Sequence, residues 1–201
     1  MKSIVALLLP ILALAAPAPE GRQSGGIRIS SVSTSGSGCP QGSVSTSISD
    51  DGSVVTIGYD SYQTNVGPGV DSSQREKYCD IFLTLLYPLG CTSAVMASTY
   101  HGFAQLDSGV SGSFAAAYVL SPGSTSTNPP TTTFSSSQWS AGGVYTKSDS
   151  VTTKNTVRTL NQRTAIFAAR TRVTLIAVNS TVSGTLTDDD ATIAITSQIK
   201  C

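Results

Sequence analysis

The stretch Val110-Ser111-Gly112-Ser113-Phe114-Ala115-Ala116-Ala117-Tyr118-Val119-Leu120 sets Val110, Gly112, Phe114, Ala116, Tyr118 and Leu120 on one side of an extended chain, with Ser111, Ser113, Ala115 and Ala117 on the other. Side chains of a strand point alternately to its two faces, so this period of two marks a strand with one face turned to a core. The pattern continues outward in both directions. Val44, Thr46 and Ile48 alternate with Ser43, Ser45 and Ser47, Asp50-Asp51-Gly52-Ser53 supplies turn residues, and Val54 to Tyr59 returns, which predicts a hairpin. Further strands are expected over Ile81–Tyr87, Ser93–Ala104, Val151–Leu160 and Arg172–Val178, while no segment carries a helical stripe bounded by caps. Near the end, Ile193, Ile195 and Ile199 share a face with Cys201, which turns the terminal thiol inward. About eight or nine strands separated by Gly, Ser, Asp and Pro predict an all-β chain folded as an antiparallel β-sandwich.

The N-terminus is of another kind. Lys2, an apolar run from Ile4 to Ala15 and small residues at Ala13 and Ala15 have the layout of a secretory signal peptide spanning residues 1–15. The run is shorter than the roughly 20 apolar residues that spanning a bilayer takes, so a secreted, extracellular chain with no membrane association after leader removal is expected. Residues 16–37, rich in Pro, Ser and Gly with little apolar mass, predict a flexible lead-in. Residues 38–201 suffice for one self-sustaining domain, expected to be a monomer.

Charge selects no partner by its total. Twelve Lys plus Arg face twelve Asp plus Glu, and loss of Lys2 with the leader leaves a balance of minus one. Its distribution is uneven, since Lys147, Lys154, Arg158, Arg163, Arg170 and Arg172 face only Asp149, whereas Asp50 to Asp107 is mostly acidic. Cross-strand ion pairs are one reading of this, and a basic surface for an anionic polymer such as an acidic glycan is the other. Nucleic acid is excluded as a partner because the basic residues lack interleaved aromatics to stack on bases.

Four cysteines, Cys39, Cys79, Cys91 and Cys201, in an exported chain read as two disulfides. A turn at Pro88 to Gly90 would join Cys79 to Cys91, leaving Cys39 to pair with Cys201. A zinc site fails for want of a CxxC pair and with one histidine in the chain. No cofactor is expected. The long gap from Ser121 to Ser140, twelve of whose twenty residues are Ser or Thr, reads as a loop because Pro122, Pro129 and Pro130 interrupt any ladder. Phe134 and Trp139 at its edge are candidate ligand-binding residues, a stacking platform for a sugar, although the sole Trp of a small sandwich also suits a core plug. Asn179-Ser180-Thr181 is an N-glycosylation sequon, so Asn179 is a candidate modification site.

Catalytic constellations are thin. His101 is the sole histidine and no GxSxG element presents a serine, so a structural imidazole is expected. Asp60, Asp71, Glu76, Asp80 and Asp107 are the carboxylates available for glycoside hydrolysis, and Asp188-Asp189-Asp190 offers oxygens to calcium or is a solvated turn. Gly38-Cys39-Pro40, Cys79 leading into Pro88-Leu89-Gly90, Tyr100-His101-Gly102-Phe103-Ala104 and Leu106-Asp107-Ser108-Gly109 together resemble the small secreted fungal proteins grouped as domain of unknown function 4360. The likeness covers Gly38 to Ser124 well and the rest faintly; Cys91 departs from it, standing where an aromatic residue is usual. It implies a secreted, disulfide-bonded β protein and transfers no activity. The function expected is a non-catalytic module at a cell wall or host surface, effector-like and polysaccharide-binding, with a carboxylate hydrolase as the alternative.

Overall fold

The alternation of Val110–Leu120 is realised in a computed structural model of the chain, which describes residues 26–88, 93–121, 126–154 and 164–200. The expected leader, Cys91, Cys201, Arg158 and Arg163 lie outside those residues. Thirteen strands are formed among the described ones: β1 (Arg28–Ser35), β2 (Val44–Ile48), β3 (Val54–Tyr59), β4 (Gln63–Val66), β5 (Glu76–Leu86), β6 (Ser93–Leu106), β7 (Val110–Ser121), β8 (Ser126–Thr127), β9 (Thr132–Ser135), β10 (Gly143–Lys154), β11 (Thr164–Ala177), β12 (Gly184–Thr187) and β13 (Asp190–Lys200). Sheet A runs β1-β5-β11-β7-β8, with β9 also on β7; sheet B runs β2-β3-β13-β6-β12-β4, with β10 on the other edge of β6. All pairings are antiparallel. The inward faces of both sheets close over one core that includes Ile57, Ile81, Leu83, Leu85, Tyr100, Phe114, Tyr118, Phe167 and Ile193. This is the expected all-β sandwich, with more strands than expected because β4, β8, β9 and β12 are too short to show a period.

Two expectations about the chain's organisation are corrected. Residues 28–35 are not a flexible lead-in: Ile27 and Ile29 are buried and β1 pairs along β5, from Arg28 opposite Leu86 to Ser35 opposite Asp80. Polar composition hid a strand that is held by its backbone pairing to β5 and by a few apolar side chains, Ile29 and Val32, turned to the core. The span from Ser121 to Ser140 is not wholly loop either, since β8, β9 and a single helical turn, α1 (Ser136–Trp139), lie within it. The predicted hairpin forms as β2 and β3. Its turn is set by Asp51, whose Oδ1 accepts from the Ser53 amide at 2.9 Å and the Ser49 hydroxyl at 2.7 Å, while Gly52 adopts φ 69°. The Ser49 and Ser53 bonds to the carboxylate hold the Asp51 pKa at about 2.

The cysteine pairing is also corrected. Cys39 bonds Cys79, with Cα atoms 5.5 Å apart, so the expected Cys39–Cys201 and Cys79–Cys91 bridges are ruled out. Register explains it. With Ser35 opposite Asp80, the chain leaving β1 runs beside β5, and the Gly38 amide donates to the Tyr78 carbonyl at 2.8 Å, bringing Cys39 against Cys79. Gly36 permits this course, for its φ is 143° and a Cβ there would lie 2.3 Å from the Tyr78 oxygen. Along β13, Ile193 is buried and Ile195 packs against the core, on the expected face, and register shifts follow between Ile195 and Ser197 and between Gln198 and Lys200; the side chain of Ile199 and Cys201 lie outside the described residues.

Candidate functional site

Across the outer face of sheet A, antiparallel register sets Asp80 opposite Arg170 and Tyr78 opposite Arg172, and continues from those arginines to Ala117 and Ala115 on β7. Alternation turns all six outward. Their neighbours Cys79, Thr171 and Ala116 point into the core. Alanine leaves β7 low, and the chain joining β8 to β9 beside it, at Asn128, Pro129 and Thr131, forms a bank, so a groove of about 470 Å³ opens between that bank and the taller side chains of β5 and β11. Tyr78 offers its ring there, 43% exposed.

The charged side chains of this face are paired across the strands. Arg172 Nη1 donates to Glu76 Oε1 at 2.8 Å, and Arg170 Nε lies 3.9 Å from Asp80 Oδ1. These are the cross-strand pairs that the uneven charge allowed. Exposed as they are, each adds at most about 1 kcal/mol to stability; their effect is to orient planar guanidinium and carboxylate groups along the groove while leaving it uncharged overall. The layer beneath is fixed. The Tyr62 hydroxyl donates to Thr171 Oγ1 at 3.0 Å, Thr171 Oγ1 donates to the Cys79 carbonyl at 3.0 Å, and the Tyr78 amide donates to Ser37 Oγ at 3.2 Å. Thr171 stands between the two arginines and Cys79 follows the exposed tyrosine, so this buried chain and the disulfide lock the floor from behind.

The candidates from the sequence lie elsewhere. Phe134 is 2% exposed and belongs to the core, so it offers no ring face to solvent. Trp139 is half-buried and edge-on to Phe134 and Tyr145, at ring-centre distances of 5.4 and 6.5 Å. The two do not form an open platform. His101 is exposed on the outer face of sheet B, where its Nδ1 lies 2.8 Å from Asp190 Oδ1 and Thr146 is its neighbour on β10. The break between β12 and β13 splits the acidic triplet. Asp188 is buried, Asp189 is exposed and Asp190 pairs with His101, and among the described residues no three acidic, histidine or cysteine side chains gather as metal ligands. Of the five carboxylates, Asp71 accepts from the Ser73 amide, Asp107 accepts from the Ser183 amide, and Asp60 follows β3. Glu76 and Asp80 share a face of β5 four residues apart, about 13 Å of strand, which is wider than the roughly 5–9.5 Å between glycosidase carboxylates.

Sequence reasoning overlooked Tyr78, Arg170 and Arg172 as one site. The available signal was alternation about Cys79, which turns Tyr78 outward whenever the cysteine turns inward. The pairing of β5 with β11, across some ninety residues of chain, carried no local signal.

A family model described as "Domain of unknown function (DUF4360)" matches residues 25–201. An uncharacterized secreted protein of Arthroderma benhamiae is 37% identical over 106 residues, a match spanning 53% of this chain and 43% of that protein. With the Cys39–Cys79 disulfide, that relative agrees with the expected export: the protein is secreted. No described helix is long and apolar enough to cross a membrane. Among solved structures, a family 4 carbohydrate-binding module is similar at 13% identity over 77% of this chain and 80% of its own, with a TM-score of 0.23. A family 11 module from Clostridium thermocellum, in complex with a β-1,3-1,4-mixed-linked tetrasaccharide, is similar at 11% identity over 83% and 95%, with a TM-score of 0.20. At such scores neither bears on function.

Proposed function

The chain belongs to the domain of unknown function 4360 family, and we propose that it is a non-catalytic extracellular module that binds an uncharged glycan along the groove of sheet A. The observation that carries this reading is the groove's composition. An exposed tyrosine ring suits the apolar face of a pyranose, while paired guanidinium and carboxylate groups offer donors and acceptors to ring hydroxyls with no net charge to satisfy. Its volume lies within the range of about 300–1,000 Å³ usual for ligand sites. An anionic polymer fits less well, because Glu76 and Asp80 neutralise the arginines it would need. Hydrolysis fits less well too, since the two carboxylates of this face are too far apart and each is paired to an arginine.

Depletion of the secreted protein onto insoluble β-glucan, chitin, cellulose and pectin, with reducing-sugar release followed in the same tubes, tests the reading. Binding to an uncharged polymer without release is expected. Tyr78→Ala is expected to weaken binding about tenfold, the loss of one ring contact of up to about 1.5 kcal/mol, and Ala115→Trp to abolish it by filling the floor. Binding to pectin alone, sugar release, or full affinity in Ala115→Trp would each overturn the proposal.

A further inference from the structure

Beyond the groove, the end of β11 combines three features. Ile176 and Val178 are 66% and 76% exposed, unusual for residues of their size in this chain. Asn179 follows directly and is exposed. It opens Asn179-Ser180-Thr181, and of the five asparagines in the sequence none of the other four begins such a triplet. The triplet is folded into a turn in which Asn179 Oδ1 accepts from the Thr181 amide at 2.9 Å and from the Thr181 hydroxyl at 2.7 Å. Both bonds fall on the oxygen. None of the described hydrogen bonds engages Nδ2, the atom that a sugar would take. Ile176 is fixed by its place in β11 opposite Ser111, and Val178 is held against Gly109, whose carbonyl accepts from the Val178 amide at 3.0 Å and where a Cβ would lie 2.7 Å from Val178 Cγ2.

We propose that Asn179 carries an N-linked oligosaccharide and that this glycan covers Ile176 and Val178. In the transfer, Nδ2 forms a bond to the anomeric carbon of an oligosaccharide carried on a lipid diphosphate. The bond from that carbon to the diphosphate oxygen breaks, the diphosphate leaves with the electron pair, and the amide loses one proton. Asn179 stands three residues from Ile176, about 10 Å of extended chain, a distance that the first sugars of a glycan span. Exposed side chains of this size side by side mark surfaces that are covered in use, and the modification supplies the cover where export has already delivered the chain to the enzymes that make it.

The test uses the full chain secreted from a eukaryotic host. Intact mass is measured before and after peptide N-glycosidase, and the tryptic peptide Val173–Lys200 is then sequenced by mass spectrometry. A drop of at least a chitobiose core, with Asn179 converted to aspartate, is expected, and Thr181→Ala should abolish the modification while leaving Asn179 in place. Unmodified Asn179 in the secreted protein would overturn the site. The covering role is read by sedimentation at rising concentration: unglycosylated Thr181→Ala should self-associate, and adding Ile176→Thr and Val178→Thr should return it to the behaviour of the glycosylated protein. Equal sedimentation of the glycosylated and unglycosylated forms, or self-association that persists after both threonine changes, would overturn the cover. Neither result depends on whether the sheet A groove binds a glycan.

Discussion

Asp188 stands where β12 gives way to β13, 1% exposed, and among the described residues neither of its carboxylate oxygens has a hydrogen-bond partner. The groups whose fields meet there are the hydroxyls of Tyr59, Tyr62, Tyr100 and Tyr145 on the core side, and Asp189 and Asp190 next along the chain, the latter paired with His101 of β6. Burial pushes its carboxyl well above the ordinary carboxylate range, and the neighbouring charges of Asp189 and Asp190 push it the same way. A raised folded-state pKa fixes the sign. Below about pH 4, where the group is protonated in both states, it costs nothing; above that the unfolded chain ionises, and stability falls by up to about 1.4 kcal/mol per pH unit until the folded pKa is passed. Melting curves from pH 4 to 7 should show the protein losing ground steadily to Asp188→Asn, and parallel profiles for the two would show that Asp188 finds a partner when folded. Tyr78 is the complementary case, legible as outward by alternation yet recognisable as a site only beside Arg172.

At the scale of elements, β10 is the longest edge strand of sheet B, and it turns Tyr145, Lys147, Asp149 and Val151 inward where period two requires. Lys147 therefore does not belong to a basic surface. Its Nζ bonds Asp149 Oδ1 at 2.5 Å and sits 5.8 Å from the Phe114 ring centre, while Asp149 Oδ2 accepts from the Tyr118 hydroxyl at 2.7 Å and that hydroxyl lies 3.0 Å from the Tyr100 hydroxyl. A charge pointing inward on an edge strand discourages pairing with another chain, since a mispaired edge would strand it. Removing one partner leaves the other charge buried, so Lys147→Met should lower the unfolding free energy by about 3–5 kcal/mol in urea titration. Lys147→Met with Asp149→Leu should recover most of that loss; a double variant as unstable as the single would mean that packing, not charge, sets the cost. The alternation was readable in the sequence, but its phase along β10 was not, because Val144 and Tyr145 are both large and apolar and offer either face to the core.

On the scale of the whole molecule, the Cys39–Cys79 bridge closes a loop across a sequence separation of 40 residues and, in the chain-entropy account, contributes about 4 kcal/mol. Non-reducing peptide mapping is expected to recover Cys39–Cys79; a peptide linking Cys39 to Cys201, or Cys79 to Cys91, would contradict it. By itself the sequence determined the fold class, the hairpin at Asp51–Gly52 and the use of disulfides, because period-two burial, turn conformations and redox chemistry are properties of neighbouring residues. Which cysteines meet, that residues 28–35 join a sheet, and that Tyr78, Arg170 and Arg172 share a groove with Ala115 were decided by tertiary structure alone. Those outcomes depend on strand order and register between segments far apart in the chain, and register is a competition among all possible pairings that only the closed core resolves.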